Sequence, residues 1–456
     1  MKPLIRALPL LVCALLVGCS ANPAAEPASP TPKVTWVADR ASEARPGATV
    51  LRSMATADLL VVITRADVTA FDRATGERRW FVPAPRYQDR QAMFCGASRT
   101  TGPDGQIALS LGFVKSETPL SASCLGVTVL DTTSGRLGWD TTVAYEGGVL
   151  QGDVAGMPLE IVKDTVVVGW DFNVFGLALA DGSQRWHSRL QSEPGLRYPN
   201  CPLVDLVPGA AESVTVLAHC ILRNGRTYYS LAEISAVGRT VRAHDLTDAE
   251  AGAPIGTAQL ISGAPPVLSL TSRDTNDDRT FLLGFTPEWV PGLHRADRMT
   301  SPDALATVAV GFANGIPGAY SPDNRALVDG GVLYAVTAPN QQTANRLVAL
   351  DLASGRELWS LRTDGQVAMQ VLETSRNRVR VLRSAVDEQN DHTQSVVEVD
   401  RVTGAVLDVV SDTPQNSSGG PAHSAFYSYT WADDRAYAVH VANYDDSAYR
   451  FVFTVG

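Results

Sequence analysis

A short unit that recurs along this chain constrains its fold more than any other sequence feature. Each copy places an aspartate after an apolar run, a glycine four residues later and a tryptophan four residues after the glycine. Three complete copies are Asp72–Trp80, Asp131–Trp139 and Asp351–Trp359. A shortened copy ends at Trp186, and the decayed copy Asp400–Asp408 has an aspartate in place of the tryptophan. Such a repeat predicts an array of small supersecondary units rather than separate domains.

The spacing within the unit fits a strand, a tight turn and a second strand. An aspartate side chain can accept the amide hydrogens of a turn, and glycine adopts the positive φ that the turn needs. A tryptophan on the second strand presents a large flat ring that can pack against the next unit. Runs rich in β-branched residues, such as Leu59–Thr64 and Val396–Val399, recur between turn residues, and no helical periodicity follows Lys33. The sequence therefore predicts an all-β protein.

The pattern Ala-x-Asp-x-x-[Thr/Ser]-Gly-x-x-x-Trp resembles the tryptophan-docking motif of the PQQ-type (pyrroloquinoline quinone) β-propeller repeat. The resemblance implies a propeller of four-stranded antiparallel blades. We expect seven complete blades, at 48–82, 91–143, 149–189, 200–245, 256–295, 324–361 and 366–410. Three last strands, at 424–431, 434–442 and 448–455, would be completed by Lys33–Ala38, which carries Trp36 and would close the ring. Eight blades is the preferred count. Seven is the alternative, because the fourth and fifth blades lack a clean motif.

The resemblance also assigns roles to two other features of the chain. Trp80, Trp139, Trp186 and Trp359 are the expected blade-docking residues. The segment 296–322 fits no blade and is expected to be a long connection between the fifth and sixth blades, either functional or mobile.

The N-terminus has the features of an export signal. Lys2 and Arg6 precede an apolar run from Leu8 to Val17, which is too short to span a bilayer. Leu-Val-Gly-Cys19 resembles the lipobox of bacterial lipoproteins, which implies cleavage before Cys19 and a diacylglycerol on its thiol. A plain secretory signal is the alternative. Residues 1–18 are thus a predicted signal peptide, 19–32 a Pro/Ala/Ser-rich tether, and 33–456 the propeller. The expected location is the outer face of the cell membrane.

Composition excludes some classes of function. The chain of 456 residues is 45% hydrophobic, which excludes a wholly disordered protein. Its net charge of −10 argues against nucleic acid as the main partner, because phosphate binding needs clustered positive charge.

Six cysteines divide by position. Cys13 leaves with the signal and Cys19 carries the lipid, so four remain, an even number that favours disulfides in an exported protein. In a propeller, strand A starts and strand B ends on the same face of a blade. This implies the pairs Cys95–Cys124 and Cys201–Cys220, with cross-pairing or free thiols as the alternatives.

Catalytic and metal-binding patterns are weak in this sequence. The seven histidines have no metal-ligand spacing, and there is no nucleophile elbow or phosphate-binding loop. The run from Asp274 to Asp278 imitates the start of an EF-hand, but Arg279 replaces the glycine and Phe285 the glutamate. We therefore expect no metal site, no catalytic residue and no cofactor.

The resemblance still raises an enzyme alternative, because PQQ-dependent (quinoprotein) dehydrogenases carry the same repeat. Those enzymes typically have two adjacent cysteines above the quinone, and this chain has no Cys-Cys pair. The other branch is non-enzymatic and includes the propeller lipoproteins of the outer-membrane β-barrel assembly (Bam) complex. Only four lysines stand beside 34 arginines. That bias indicates a GC-rich genome, which argues against a Bam role if the host lacks an outer membrane.

Acidic residues recur in the expected connections between the second and third strands of the last four blades. These turns are expected to emerge on one face and form a candidate binding rim. The rim residues are Asp274, Asp277, Asp278, Asp387, Glu388, Asp391, Asp445 and Asp446. Solvated polar turns are the alternative. The sequence thus predicts a monomeric, non-enzymatic scaffold or ligand sensor with an envelope protein as its partner.

Overall fold

The computed structural model confirms an all-β protein. Residues 31–456 form one compact unit. The structure describes residues 34–39, 50–87, 90–114, 122–143, 157–190, 201–221, 227–251, 254–272, 280–295, 326–337, 346–362, 367–386, 392–412, 426–432, 435–441 and 451–455.

The described strands form seven sheets of four antiparallel strands and one of five, numbered here in chain order. The first strand, β1 (Val34–Asp39), belongs to sheet 8. Sheet 1 contains β2 (Val50–Ala55), β3 (Leu59–Thr64), β4 (Asp67–Asp72) and β5 (Arg78–Pro83). Sheet 2 contains β6 (Arg86–Tyr87), β7 (Arg90–Ala97), β8 (Gln106–Val114), β9 (Ala122–Asp131) and β10 (Leu137–Thr142). Sheet 3 contains β11 (Leu159–Val162), β12 (Thr165–Trp170), β13 (Asn173–Ala178) and β14 (Gln184–Arg189).

The remaining sheets repeat this up-and-down order. Sheet 4 contains β15 (Leu203–Pro208), β16 (Ser213–Ile221), β17 (Thr227–Ser235) and β18 (Thr240–Leu246). Sheet 5 contains β19 (Ile255–Gly263), β20 (Pro266–Ser272), β21 (Thr280–Phe285) and β22 (Pro291–Arg295). Sheet 6 contains β23 (Ala326–Asp329), β24 (Val332–Thr337), β25 (Arg346–Asp351) and β26 (Glu357–Arg362). Sheet 7 contains β27 (Val367–Thr374), β28 (Arg378–Val386), β29 (His392–Asp400) and β30 (Val406–Asp412). Sheet 8 contains β31 (Phe426–Ala432), β32 (Arg435–Val441), β33 (Phe451–Val455) and β1.

Three details differ from the sequence expectation. Sheet 2 has a fifth strand, because the two-residue β6 folds back on the start of β7. Cys95 lies inside β7 rather than at its start, since that hairpin lengthens the strand. A one-turn helix, α1 (Asp248–Ala251), follows sheet 4 and was too short to leave a periodic signal. It begins with a capping box, in which Glu250 Oε2 accepts the Thr247 amide at 2.9 Å and Thr247 Oγ1 accepts the Glu250 amide at 3.1 Å.

The hydrophobic core lies between consecutive sheets rather than at one centre. Separate clusters of buried residues join sheets 1 and 2, sheets 2 and 3, and so on to sheets 6 and 7. The middle strands supply most of this core, and all six residues of both β3 and β13 are buried. Each sheet is therefore stabilised mainly by the sheets that flank it, as in other repeat folds.

Sheet 8 combines the two ends of the folded unit. Strand β1 pairs antiparallel with β33, so that Val34 lies opposite Val455 and Val37 lies opposite Phe453. The first strand of this sheet, β31, contacts β27 of sheet 7 on one side and β2 of sheet 1 on the other.

Candidate functional site

The turn between the last two strands of each repeat forms as its residues predict. In sheet 1, Asp72 Oδ1 accepts the amide hydrogens of Ala74 at 2.9 Å and of Thr75 at 3.0 Å. The Thr75 amide, followed by that of Ala74, lowers the pKa of the Asp72 carboxyl. Gly76 then takes a φ of 77°. The aspartate and glycine of the repeat therefore stabilise the turn that sets the direction of the following strand.

The four expected docking tryptophans each reach the next sheet and donate their indole hydrogen to a carbonyl oxygen there. Trp80 Nε1 lies 3.1 Å from Thr132 O, and Trp139 Nε1 lies 2.7 Å from Leu179 O. The matching distances are 2.7 Å from Trp186 to Ala236 and 2.8 Å from Trp359 to Arg401.

Each indole also lies flat on the turn glycine of the next sheet. A Cβ atom built on Gly135 would be 2.6 Å from the Trp80 ring, and one built on Gly404 would be 2.6 Å from the Trp359 ring. A side chain at either position would displace the indole, and both glycines have positive φ values, of 71° and 73°. The glycine of one copy is thus the docking surface for the tryptophan of the copy before it.

A register shift places the docking residue in every one of sheets 1 to 7. In sheet 1 the shift lies between the pairs Ala70–Trp80 and Phe71–Arg78, and the other six sheets have one at the same place. An extra residue of this kind bends the strand and turns the side chain beside it. The docking position is therefore two residues after the first paired residue of the last strand.

This rule identifies the equivalent position in the sheets that lack the motif. The position is occupied by Arg242 in sheet 4, Leu293 in sheet 5 and Asp408 in sheet 7. Its partner on the neighbouring strand varies with it: Ala70 and Gly176 face tryptophans, whereas Glu233 faces Arg242.

Between sheets 4 and 5, Arg242 occupies the position of the docking tryptophan, and the aromatic ring lies in the turn that receives it. Its Nη1 donates a hydrogen bond of 2.6 Å to Pro287 O, in the turn where the other sheets accept the indole. Its guanidinium lies 5.4 Å from the centre of the Trp289 ring, and Trp289 has the positive φ of the missing glycine, at 64°. Glu233, which is 4% exposed, accepts Arg242 Nε at 2.6 Å. The arginine comes from sheet 4 and the aromatic ring from sheet 5.

Sheet 7 carries a second buried ion pair. Arg380 on β28 and Glu398 on β29 are 4% and 3% exposed, and Arg380 Nε lies 2.8 Å from Glu398 Oε1. Arg380 Nη1 also lies 2.9 Å from Glu373 Oε2, and Arg378 contacts the other oxygen of Glu398. These contacts satisfy charges that burial would otherwise penalise.

A buried carboxylate on β11 of sheet 3 contacts the connection between β7 and β8 of sheet 2. Glu160 on β11 is 1% exposed, and its Oε2 accepts the amides of Arg99 and Thr100 at 2.9 and 3.1 Å. Thr100 Oγ1 donates to the same oxygen at 3.0 Å. Arg99 Nε lies 3.8 Å from Glu160 Oε1, and Arg99 Nη2 lies 3.7 Å from Asp205 on β15 of sheet 4. Glu160 therefore links sheet 3 to sheet 2, and Arg99 extends that link to sheet 4.

Burial raises the pKa of Glu160 to about 7, against the lowering effects of Arg99, Arg52 and the Thr100 hydrogen bonds. The native state then binds this proton more tightly than the unfolded chain, in which the pKa is near 4.5. Protonated Glu160 therefore stabilises the native state at low pH. This contribution to the free energy of unfolding falls by roughly 3 kcal/mol as the pH rises from about 4.5 through about 7.

Glu160→Gln is expected to remove this pH dependence, because glutamine keeps an acceptor oxygen and does not ionise. Urea unfolding of the full chain at pH 5, 6, 7 and 8 measures it. The wild type should lose stability across this series relative to Glu160→Gln. Asp164→Asn is the control, since the exposed Asp164 has a lowered pKa and titrates below the series. Parallel curves for wild type and Glu160→Gln would show that Glu160 is ionised throughout.

The two disulfides are the expected pairs, Cys95–Cys124 and Cys201–Cys220. The first joins β7 to β9 across β8, and Cys124 lies opposite Gly112 on that intervening strand. The second joins the residue before Pro202 to the end of β16, with both cysteines at most 2% exposed. Each disulfide stays within one sheet and thus supports sheets 2 and 4 on either side of sheet 3.

Several predicted features lie outside the described residues. They are the lipidation residue Cys19, the connection 296–322 and all eight residues of the candidate acidic rim. In the part of the chain that is described, no group of three or more His, Cys, Asp and Glu side chains could hold a metal ion. No helix in that same part is long and apolar enough to cross a membrane.

The sequence analysis did not identify the buried charges, although two signals mark them. Glu160, Glu233 and Glu398 are single charges within apolar runs, at positions where a strand has no other reason to carry one. Arg242 follows Gly238 by four residues, which is the spacing of the tryptophan in the repeat.

A sequence-family model matches part of the chain. Residues 308–443, a minority of the 456, match the family described as "Outer membrane protein assembly factor BamB". No curated protein matches the chain.

Solved structures resemble the chain weakly. The structure described as the mitotic checkpoint complex is 9% identical, covers 97% of this chain and 98% of its own, and has a TM-score of 0.40. The structure described as dihydro-heme d1 dehydrogenase NirN in complex with DHE is 13% identical, covers 92% of this chain and 78% of its own, and has a TM-score of 0.46. A structure described as the eukaryotic initiation factor is 10% identical, covers 81% of this chain and 89% of its own, and has a TM-score of 0.40. These TM-scores are too low to transfer a function. The family match and the repeated four-stranded sheets support a PQQ-like β-propeller domain.

Proposed function

We propose that this protein is a non-enzymatic interaction scaffold or ligand-binding module at the bacterial cell envelope. In this proposal a lipid on Cys19 holds the chain at the outer face of the membrane, and the Pro-rich tether separates the membrane from the folded unit. The folded unit is a monomeric ring of eight blades, and its partner is an envelope protein rather than nucleic acid.

The geometry of sheet 8 supports the closed ring. Val34 pairs with the last residue of β33, and Trp36 follows two residues later, as Trp80 follows Arg78 in sheet 1. The register shift between Val34 and Val37 gives Trp36 the sequence position that the docking residues have in sheets 1 to 7. The contacts of β31 with both β2 and β27 agree with that closure.

The observation that carries the non-enzymatic proposal is the use of the buried charges. Carboxyls with shifted pKa values mark catalytic sites in some proteins and structural charge networks in others, and their contacts distinguish the two. Here Glu160 of sheet 3 is 1% exposed and binds the backbone of sheet 2, and Arg242, paired with Glu233, connects sheet 4 to sheet 5. These charged groups stabilise the contacts between sheets. No specific observation favours the quinoprotein dehydrogenase alternative.

The test compares wild type, Cys19→Ala and Cys13→Ala in cells fed an alkyne fatty acid and then crosslinked in intact membranes. Wild type and Cys13→Ala should carry the label and form one discrete crosslinked product with another envelope protein. Cys19→Ala should lose both. Cys13 is the matched control, because it lies in the predicted signal peptide.

The enzyme alternative is tested on the same purified protein. With added quinone, calcium and alcohol or sugar substrates as electron donors, it should not reduce an electron-acceptor dye faster than a protein-free blank. Quinone-dependent dye reduction would overturn the proposal, as would membranes in which the labelled wild type crosslinks to nothing.

A further inference from the structure

The side chain of Arg99 lies between carboxylates of two different sheets. Its Nε is 3.8 Å from Glu160 Oε1 on sheet 3, and its Nη2 is 3.7 Å from Asp205 Oδ1 on sheet 4. Direct hydrogen bonds between nitrogen and oxygen measure about 2.7–3.2 Å, so neither contact is one. The Leu206 amide donates to Asp205 Oδ1 at 2.8 Å and holds that oxygen in place. A small movement of the guanidinium would therefore bind it to one carboxylate and release it from the other.

The two oxygens of Glu160 have different surroundings. Oε2 accepts the backbone amides of Arg99 and Thr100 at 2.9 and 3.1 Å, whereas Oε1 faces the Arg99 guanidinium. A carboxyl that has bound a proton keeps one oxygen as a pure acceptor. The proton therefore goes to Oε1, because the two amides need Oε2. Protonation then removes the attraction for the Arg99 side chain and leaves the backbone contacts intact.

The strands that pack most closely against β11 contribute few groups that ionise. They are β7, β8, β12, β15 and β16. Among their described side chains, Asp205 on β15 and His219 on β16 are the two that titrate. His219 stacks on Tyr229, with 4.7 Å between the ring centres. Histidine titrates near neutral pH, so an experiment on Glu160 must separate these two groups.

Charges from further elements also reach Glu160. Burial raises the pKa of Glu160 to about 7, and Arg99 and then Arg52 on β2 lower it. The adjoining turns carry exposed charges, which are Asp104 and the ion pairs Lys163–Glu212 and Asp164–Arg185. Water screens exposed charges, so these groups act weakly on a buried carboxyl. Arg99 is therefore the charged group that protonation of Glu160 affects most.

We propose that a proton exchanged with solvent at Glu160 Oε1 switches Arg99 between two sheets. With Glu160 ionised, Arg99 pairs with it and connects sheet 2 to sheet 3. With Glu160 protonated, Arg99 pairs with Asp205 and connects sheet 2 to sheet 4. The contact of these three sheets thus responds to pH near neutrality. This device is a property of the fold and does not depend on the proposed scaffold function.

The test follows the Arg99 side chain by NMR in the full chain labelled with ¹⁵N at arginine Nε. The Arg99 signal is assigned by its absence from Arg99→Lys. In the wild type it should shift in one step between pH 5.5 and 8.5, with its midpoint near the pKa of Glu160, about 7. In Glu160→Gln it should stay constant, because glutamine does not ionise and places an amide donor where the protonated acid has its hydroxyl.

Asp205→Asn shows where Arg99 goes. At pH 8.5 the Arg99 signal of this variant should match the wild type, because Arg99 is bound to Glu160 in both. At pH 5.5 it should differ, because only the wild type offers the second carboxylate. Glu212→Gln is the matched control, since it removes a carboxylate of sheet 4 that pairs with Lys163. Its Arg99 signal should follow the wild type at both pH values.

Urea unfolding gives a second readout that does not need Glu160→Gln to fold. Arg99→Gln, Asp205→Asn and the double variant form a thermodynamic cycle. The coupling between the two residues should change the unfolding equilibrium constant about threefold more at pH 5.5 than at pH 8.5. The control cycle uses Arg185→Gln and Asp164→Asn. Its coupling should be equal at both pH values, since the Arg185 hydrogen bond lowers the pKa of Asp164 below this range.

Three results would overturn the switch. The pH step could persist in Glu160→Gln, which would assign it to His219. Asp205→Asn could alter the Arg99 signal equally at both pH values, or at neither. The coupling between Arg99 and Asp205 could be the same at both pH values. Each of these results leaves the scaffold function untouched, because no partner is present in the measurements.

Discussion

Trp359→Ala should lower the free energy of unfolding of the full chain by about 3–5 kcal/mol, the usual cost of truncating a large buried aromatic side chain. Trp359 is 8% exposed and belongs to the cluster that joins sheets 6 and 7. Its removal leaves a cavity against Gly404 and deprives Arg401 O of its indole donor at 2.8 Å. The effect is large because one side chain provides both packing and a hydrogen bond between two sheets.

Two further variants separate these contributions in urea unfolding. Trp359→Phe keeps an aromatic ring and loses the indole hydrogen bond. It should lower the free energy of unfolding less than Trp359→Ala does, and about 1 kcal/mol of its cost should come from the lost hydrogen bond. Leu358→Ala changes the preceding, 47% exposed residue and should cost less than about 0.5 kcal/mol. If Trp359→Ala destabilised no more than Leu358→Ala, the tryptophan would not hold the two sheets together.

Arg380→Met should be comparably destabilising, by about 3–5 kcal/mol, because it removes one partner of a buried ion pair. Methionine fills much of the same volume and carries no charge. Glu398, which is 3% exposed, would lose the Arg380 Nε contact at 2.8 Å, and Glu373 would lose its contact at 2.9 Å. The cost comes from two carboxylates left without that cation at a largely buried position.

Arg378→Met is the matched control, since Arg378 contacts the same Glu398 carboxylate from a position that is 50% exposed. Exposed ion pairs contribute about 0–1 kcal/mol, so this variant should change stability little. Arg380→Met combined with Glu398→Leu should recover part of the loss, because the unpaired charge is then gone. Equal costs for the two arginine variants would contradict the importance of burial at Arg380.

The repeat predicted the strand order and most of the docking contacts because its physics is local. Asp72 and Gly76 determine their turn within five residues, and the register shift beside Trp80 follows from that turn. Blade limits were therefore predictable to within a few residues even in sheets 4 and 5, where the motif is degenerate. The extra strand β6 was not, since a two-residue pairing has almost no sequence signal.

The site residues that sequence reasoning missed depend on distant partners. Nothing near Glu160 in the chain indicates that its oxygen accepts the amides of Arg99 and Thr100, about sixty positions earlier. Nothing in the sequence distinguishes Trp289 from an ordinary turn residue, and its contact with Arg242 is visible only in the structure. Such charges are tolerated only where a neighbouring sheet supplies donors, and the sequence does not state which sheet is the neighbour.

The class of repeat, the positions of the turns and the all-β fold follow from the amino-acid sequence alone, because turn geometry and strand alternation are set by adjacent residues. The sequence also predicted which cysteines pair, through the order of strands that the repeat implies. The contacts that join the sheets where tryptophan is absent are visible only in the folded chain. The structure also showed that Glu160 of sheet 3 binds the backbone of sheet 2. Both depend on which side chains meet or stay exposed after the sheets pack, and that is a property of residues far apart in the chain.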